Sequence, residues 1–338
     1  MTRMTTLVMA AMLIAAPAGA GTVAIGEADG DVRFWDWDGS AATELTGENF
    51  AAAGSGSVGA LHYDGPDTLY VGQADTLYRY TKTAGTWSVA DSVTMPLDSR
   101  DNPQPIHDVV TYNGTAYFSY GRDTRTAKLA VRDTSPSGYT DIMSLDTSAE
   151  GSAAGLALGT GDELWASPSY YQSHNDPDTK LYRYDADAGT SEDWTLQGGS
   201  SLRGGAFWDD AVYFLDNDEL LTIDVSGTPA SIQTFANLQT EAGGNGADAN
   251  DLEFAPDGTL FVAHSRNRGG TRDDVILVGA LNPDDTRTWS IAVETNTGTN
   301  ADVGTTTWIF RSAAYVPEPA TLALLAMGGV GLAMRRRR

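Results

Sequence analysis

Cysteine is absent from this chain of 338 residues, and only three lysines and four histidines occur in it. Without cysteine there is no disulfide and no thiolate metal site. The histidines lie at positions 62, 107, 174 and 264, too far apart for an HExxH pair, and no GxSxG sequence occurs. These absences exclude a disulfide scaffold, cysteine-bound zinc, and the usual zinc-protease and α/β-hydrolase signatures.

Outside the two ends, the sequence also lacks long apolar runs and a helical apolar period. It has instead short apolar stretches separated by turn residues, with 37 glycines and 41% hydrophobic residues. Short strands joined by tight turns are typical of an all-β fold, and this length is sufficient for one large domain.

One unit of two apolar strands and a turn recurs along the chain. Its clearest copy is NDLEFAPDGTLFVA at residues 250–263, and the aromatic residue of the second strand recurs at steps of 47, 48, 48 and 48 residues. The aromatic residues are Tyr70, Tyr117, Trp165, Tyr213 and Phe261. A regular period in the forties, built from short strands, predicts the blades of a β-propeller.

Counting second strands predicts six blades in residues 21–316, with a seven-bladed ring as the alternative. The strand around Ala24 is the sixth second strand, but no first strand precedes it. We expect residues 305–311 (TTTWIFR) to supply the missing strand, pairing near Val23. Such a closure joins the N- and C-terminal strands and removes an open sheet edge.

The N-terminus has the pattern of a secretory signal peptide. Residues 1–20 contain a basic start at Arg3, an apolar run over 7–16 and the small-residue cleavage site Ala18-Gly19-Ala20. The run is about half of the ~20 residues that cross a bilayer, so a membrane anchor is the weaker interpretation.

The C-terminus has three consecutive features: the tripeptide Pro317-Glu318-Pro319, an apolar stretch over 320–334, and a basic cluster of Arg335, Arg336, Arg337 and Arg338. The prolines keep the backbone extended, and the arginines hold their end in the cytoplasm. Residues 317–338 resemble the PEP-CTERM sorting signal of Gram-negative bacteria. This resemblance implies a transient inner-membrane anchor, cleavage by an exosortase (a membrane cysteine transpeptidase), and export to the cell surface or matrix. A permanent anchor is the alternative.

Acidic residues dominate the part between the two signals. Of 21 basic and 45 acidic residues, five arginines and Glu318 lie in the end segments, which leaves 16 and 44 and a net charge of −28. Such a charge repels nucleic acid and anionic lipid, so neither is an expected partner.

Polar residues concentrate where propeller topology brings loops together. In each blade the first strand starts, and the second strand ends, at one rim, which we call the loop rim. We expect long loops there at 120–127, 168–179 and 264–273, whereas the opposite rim, the turn rim, has short turns such as Tyr112-Asn113-Gly114. The candidate ligand or metal residues on the loop rim are His107, Asp108, His174, Arg203, Asn250, Asp251, His264 and Arg266.

Two interpretations of this group remain open. In the first, carboxylates and histidines at the channel mouth hold a divalent cation such as calcium. Residues 250–260 resemble strands of gluconolactonase-like and phytase-like propellers, but the matching position in 155–158 is apolar. In the second, the Asp and Asn side chains bond backbone N–H groups and stabilise turns.

Three functions are compatible with the sequence. We favour a non-catalytic propeller that presents its loop rim to exopolysaccharide or a surface protein. A metal-dependent hydrolase of the lactonase or phytase type is the second possibility, and a purely structural matrix protein is the third. No catalytic residue is assigned.

Overall fold

In a computed structural model the chain forms a ring of six antiparallel sheets, the blades, each directed outward from a common axis. The structure describes residues 21–317 apart from 28–29, 99, 122–126, 134, 136–137, 146–150, 171–177, 198–201, 244–248, 256, 269–270, 283–285 and 300–311. The predicted six-bladed, all-β propeller is thereby confirmed, and the seven-bladed alternative is wrong.

Blades 2 to 4 each consist of four strands in sequence order. Blade 2 comprises β5 (Val58–Tyr63), β6 (Thr68–Gln73), β7 (Thr76–Thr83) and β8 (Thr86–Thr94). Blade 3 comprises β9 (Ile106–Tyr112), β10 (Thr115–Tyr120), β11 (Lys128–Arg132) and β12 (Tyr139–Ser144). Blade 4 comprises β13 (Gly151–Leu158), β14 (Glu163–Tyr170), β15 (Asp178–Asp185) and β16 (Thr190–Gln197).

Blades 5 and 6 follow the same plan with one short helix between them. Blade 5 comprises β17 (Leu202–Trp208), β18 (Ala211–Asp216), β19 (Glu219–Asp224) and β20 (Gln233–Asn237), followed by helix α1 (Leu238–Ala242). Blade 6 comprises β21 (Ala249–Phe254), β22 (Leu260–Arg268), β23 (Thr271–Leu281) and β24 (Arg287–Thr299).

Blade 1 closes the ring because its strands come from both ends of the described chain. It comprises β1 (Gly21–Gly26), β2 (Asp31–Trp37), β3 (Ala42–Glu44), the short β4 (Phe50–Ala51), and β25 (Ser312–Pro317) as the innermost strand. Strand β25 contacts β5 and β21, the innermost strands of the two flanking blades. Pairing of the terminal strands is therefore confirmed.

The identity of the closing strand differs from the prediction. We expected residues 305–311, but these lie outside the described residues, and 312–317 pair with β1. Val23 lies opposite Tyr315. The prediction extended the 48-residue period past blade 6, whereas β23 and β24 have 11 and 13 residues and displace the closing strand toward the C-terminus.

The hydrophobic core consists of six clusters, one between each pair of neighbouring blades. The five aromatic residues that define the repeat are all buried in them. Trp87 also lies in such a cluster, where it stacks on Phe34 across the gap between blades 1 and 2 at 5.7 Å between ring centroids. Since alternate side chains of a strand point to opposite faces, each blade packs against both neighbours.

Candidate functional site

The loop rim contains strands where loops were predicted. Of the predicted long loop at 264–273, residues 264–268 belong to β22 and 271–273 to β23, so that prediction is wrong. These strands pair as far as Arg268 with Thr271, and β24 pairs with β23 as far as Thr299 with Thr271. Blade 6 therefore extends beyond the start of its own first strand, because Ala249 lies opposite His264.

Asp108 is one of the buried candidate residues. It lies on the innermost strand of blade 3 and is 7% exposed. One carboxylate oxygen, Oδ1, accepts a hydrogen bond from the backbone N–H of Val109 at 2.8 Å, and Oδ2 accepts one from Leu156 of blade 4 at 2.7 Å. The side chain thus joins the innermost strands of two blades, as expected if the carboxylate is structural.

Asp251 occupies the corresponding position in blade 6. It is 7% exposed, and its Oδ1 accepts a hydrogen bond from the backbone N–H of Leu252 at 2.9 Å. Asp108 lies opposite Ser119 and Asp251 opposite Ala263, two residues beyond the repeated aromatic residue in each blade. Blades 3 and 6 stand on opposite sides of a six-membered ring, so these two residues lie on opposite sides of the axis.

The remaining candidates do not gather around one point. His107 donates a hydrogen bond from Nε2 to the carbonyl oxygen of Gly121 at 2.8 Å. Arg203 and Asn250 are partly exposed residues of β17 and β21. Arg266 lies opposite Asp273 in the register of β22 and β23. His174 lies outside the described residues.

His264, predicted as a loop residue, lies inside the protein. Its side chain is fully buried, and Nε2 is 3.5 Å from Oδ1 of Asp218 in blade 5. Within the described part of the chain neither ring nitrogen has a hydrogen-bond partner. A side chain enclosed in this way cannot reach a ligand at the surface of the rim.

Sequence reasoning missed Glu253 and His62 as titratable residues on innermost strands. Glu253 lies two residues after Asp251, and His62 lies opposite Tyr70 in blade 2. Burial and, as the smaller cause, the nearby Asp108 carboxylate together raise the pKa of Glu253 to about 8. Side chains alternate between the two faces of a strand, so Glu253 in NDLE (residues 250–253) lies on the same face as Asp251. Glu253 could therefore have been identified from the sequence.

Burial also perturbs the pKa values of Asp108 and His62 on these strands. The pKa of Asp108 rises to about 7, against the effect of the two backbone N–H donors, which lower it. Burial lowers the pKa of His62 to about 4. His62 Nε2 lies 3.1 Å from the Thr111 hydroxyl oxygen, and that hydroxyl donates to Asp64 Oδ1 at 3.2 Å.

A cation site is not formed by the candidates that the structure describes. Among the described residues, no group of three or more His, Asp or Glu side chains is arranged to hold a metal ion. Calcium takes six to eight oxygen ligands. Each oxygen of Asp108 already accepts one backbone hydrogen bond, so an ion here would share the carboxylate with two backbone N–H groups.

Two surface cavities lie away from the loop-rim candidates. One, of about 360 Å³, is formed by the edge of β19 and the segment from Asp224 to Gln233. The other, of about 450 Å³, lies between blades 5 and 6 and is lined by Phe235, Ala236, Glu241, Thr286, Arg287 and Trp289. Arg287 stands over the Phe254 ring at 5.1 Å and donates to the carbonyl of Gly279 at 2.8 Å, so it is held by the protein itself.

Solved structures with a similar fold are found at low sequence identity. A protein of unknown function from Bacteroides caccae is 9% identical, with a TM-score of 0.57 and coverage of 88% of this chain and 100% of that one. A candidate 6-phosphogluconolactonase from Bacteroides fragilis NCTC 9343 is 12% identical, with a TM-score of 0.51 and 83% of each chain covered. These likenesses establish the fold alone. No curated protein matches the chain.

The C-terminal segment matches a known family. Residues 316–338 fit the PEP-CTERM protein-sorting motif, in agreement with the resemblance of 317–338. Among the described residues, no helix is both long and apolar enough to cross a membrane, and the predicted anchor at 320–334 lies outside them. The chain therefore carries a PEP-CTERM sorting motif at the end of a six-bladed β-propeller, which implies an exported protein that is transiently anchored in the membrane of a Gram-negative-type cell and processed by an exosortase.

Proposed function

We propose that the processed propeller is a non-catalytic binding or display protein at the cell surface or in the exopolysaccharide matrix. The observation that carries this proposal is the sorting motif at 316–338, joined directly to the strand that closes the ring. A sorting motif determines where the protein is exported, and a closed propeller is a rigid scaffold that can present loops to a partner.

The hydrogen bonds at the loop rim support a binding role over a catalytic one. A general base or metal ligand needs a free lone pair directed at the substrate or ion. Each carboxylate oxygen of Asp108 accepts a hydrogen bond from a backbone N–H group, that of Val109 or that of Leu156, and His107 Nε2 donates to the carbonyl oxygen of Gly121. These side chains form hydrogen bonds with the protein's own backbone. This arrangement favours a binding surface over a reaction centre at the loop rim.

The shape of the two rims supports the loop rim as the binding face. Blade 6 extends there through β22, β23 and β24, and β14 of blade 4 continues to Tyr170. The turn rim, in contrast, has tight connections such as Asn113-Gly114 and Asp209-Asp210. The net charge of −28 favours neutral glycans or basic protein surfaces over anionic ligands.

A glycan array tests this proposal with the exported form of the protein. We expect retention of neutral or basic polysaccharide, a loss of at least fivefold in affinity for Arg203→Ala on the loop rim, and no change for Asp209→Ala on the turn rim.

The metal-dependent hydrolase is assayed in parallel with model lactones and phosphate esters in the presence of calcium. If the parent hydrolyses either substrate and Asp251→Asn abolishes this activity, the protein is a hydrolase and the binding proposal is wrong. Absence of glycan and protein binding would leave the purely structural role.

A further inference from the structure

The register of the ring closure bears on how the exported chain is cut. We infer that the exosortase cleaves at Pro317 or beyond it and that β25 stays paired with β1 while this happens. The inference rests on the exosortase processing described above. In this step the enzyme's cysteine thiolate attacks the carbonyl carbon of the cut peptide bond and forms a thioester. The C–N bond breaks, and the membrane segment leaves with a protonated amine at its new N-terminus. The acyl group then passes to an amine or to water.

The sorting tripeptide begins inside the closing strand. Six residue pairs join β25 to β1, from Ser312 opposite Gly26 to Pro317 opposite Gly21. Pro317 is thus both the last residue of the ladder and the first residue of the tripeptide. Any cut before Pro317 would shorten the strand that completes blade 1.

Loss of this strand would expose parts of two core clusters. Val23 and Ile25 of β1 are 4% and 0% exposed and pack in the cluster between blades 6 and 1. Ala24 points the other way, into the cluster between blades 1 and 2. Because β25 also contacts β5 and β21, removing it would open the ring and leave an unpaired sheet edge.

The same register places both processing points on the turn rim. Gly26 lies where a second strand ends, at the loop rim, so the pair of Gly21 and Pro317 lies at the turn rim. Gly21 is the first residue after the predicted signal peptide. The two membrane segments therefore attach side by side, and the loop rim points away from the membrane while the protein is tethered.

Acidic turns lie on the same rim as this attachment point. Asp38 follows β2, whose Trp37 pairs with Gly21, and Asp38 is exposed. Its Oδ1 accepts hydrogen bonds from the backbone N–H groups of Ser40 and Ala41, both at 2.8 Å. Asp67 and Asp209 are further exposed carboxylates on the turn rim. This rim is repelled by anionic lipid head groups, which keeps the segment after Pro317 open to a membrane enzyme.

Intact-mass analysis of the exported protein tests the position of the cut. In cells that contain an exosortase, we expect a product that starts at Gly21 and ends at Pro317 or later. A C-terminus at or before Val316 would overturn the inference but leave exosortase processing intact. A product that keeps all of 317–338 would contradict the processing itself. The triple variant Pro317→Ala/Glu318→Ala/Pro319→Ala, which removes the tripeptide, serves as the uncleaved standard.

A disulfide between the paired strands tests whether β25 stays in place. The chain has no cysteine, so the double variant Val23→Cys/Tyr315→Cys contains a single pair at facing positions. Facing residues of antiparallel strands lie within the Cα separation that a disulfide spans. We expect the bond to form during export and the processing half-time to stay within twofold of the parent. Slower processing in the double variant than in either single variant would show that β25 must separate first, and failure of the bond to form would contradict the register.

Discussion

Asp108 is of a residue type that suggests a metal site, but its hydrogen bonds connect the innermost strands of two blades. The Asp108 carboxylate accepts hydrogen bonds from two backbone N–H groups. One belongs to Val109 on the same strand, and the other belongs to Leu156 on the innermost strand of the next blade. Hydrogen bonds to a charged acceptor are worth about 1.5–3 kcal/mol each, which offsets part of the cost of burying the charge.

Asp108→Asn tests this assignment. The amide has one acceptor oxygen, and its NH2 group would face a backbone N–H, so we expect a loss of about 1–3 kcal/mol in the free energy of unfolding. Denaturant unfolding measures this loss, with the exposed Asp67→Asn as a control of equal charge. Calcium heats from calorimetry should be the same in both variants. A calcium response lost in Asp108→Asn alone, with unchanged stability, would make Asp108 a ligand.

Glu253 predicts a pH dependence of stability with a definite sign. Its pKa in the folded protein is about 8, above the ~4.3 of an unfolded chain, so the folded state binds more protons between these values. Its contribution is fully present below pH ~4.3 and is lost as the pH rises to 8. His62, with a folded pKa of about 4 against ~6.5 unfolded, acts in the opposite direction, but only below pH ~6.5.

The window from pH 6.5 to 8 therefore isolates the carboxyl groups of raised pKa, those of Glu253 and Asp108. We expect the free energy of unfolding of the parent to fall across it by up to about 1.4 kcal/mol per pH unit for each group. The slope should be shallower in Glu253→Gln and unchanged in the exposed control Glu219→Gln. Equal slopes in the parent and Glu253→Gln, measured by urea titration at each pH, would mean that Glu253 is ionised throughout.

Single residues also mark how far sequence reasoning extends. The topology correctly placed Asp108 and Asp251 on innermost strands, because strand order alone decides that position. It placed His264 in a loop, since the apolar pattern ends at Ala263. The additional pairing of β22 with β23 depends on backbone hydrogen bonds and leaves no apolar signal in the sequence.

Among the elements, the innermost strands of blades 4 and 5 approach each other closely. A Cβ atom added to Gly155 of β13 would lie 2.0 Å from the carbonyl oxygen of Gly204 in β17. One added to Gly205 would lie 2.4 Å from the carbonyl oxygen of Leu156. Both obstacles are backbone atoms, which cannot turn aside as a side chain can, so these glycines allow the two strands to pack.

Gly155→Ala tests that packing. We expect a loss of about 1–3 kcal/mol or more in stability, because β13 and β17 must separate to admit the methyl group. Gly227→Ala is the control, since nothing lies within 4 Å of a Cβ at that position. Thermal unfolding measures both. A melting temperature for Gly155→Ala equal to that of Gly227→Ala would contradict the tight contact.

Element lengths were the least predictable part of the fold. The repeat fixed the second strands to within a residue, since a buried aromatic residue marks each of them. It did not reveal that β23 and β24 are long, because repeated core positions constrain only the part of a strand that packs between blades. The closing strand was therefore expected seven residues too early, at 305–311 instead of 312–317.

At the scale of the whole molecule, closure and sorting share one segment. The ring is complete only when 312–317 pair with Gly21–Gly26, and the sorting motif begins at residue 316. Pairing of the terminal strands leaves the inner edge of blade 1 covered, which protects the exported protein from aggregation through that edge. The blade count could be read from the sequence because the period repeats five times. The exact junction could not be read, because it depends on a single strand with no second copy for comparison.

The most direct test of a propeller closed by the strand next to its sorting motif is the stability of two truncated chains, 21–317 and 21–311. Light scattering and thermal unfolding measure the outcome. The account predicts that 21–317 is monomeric and unfolds in one cooperative transition, whereas 21–311 aggregates or melts at a clearly lower temperature, because blade 1 lacks its innermost strand. If the two chains are equally monomeric and melt at the same temperature, residues 312–317 do not close the ring.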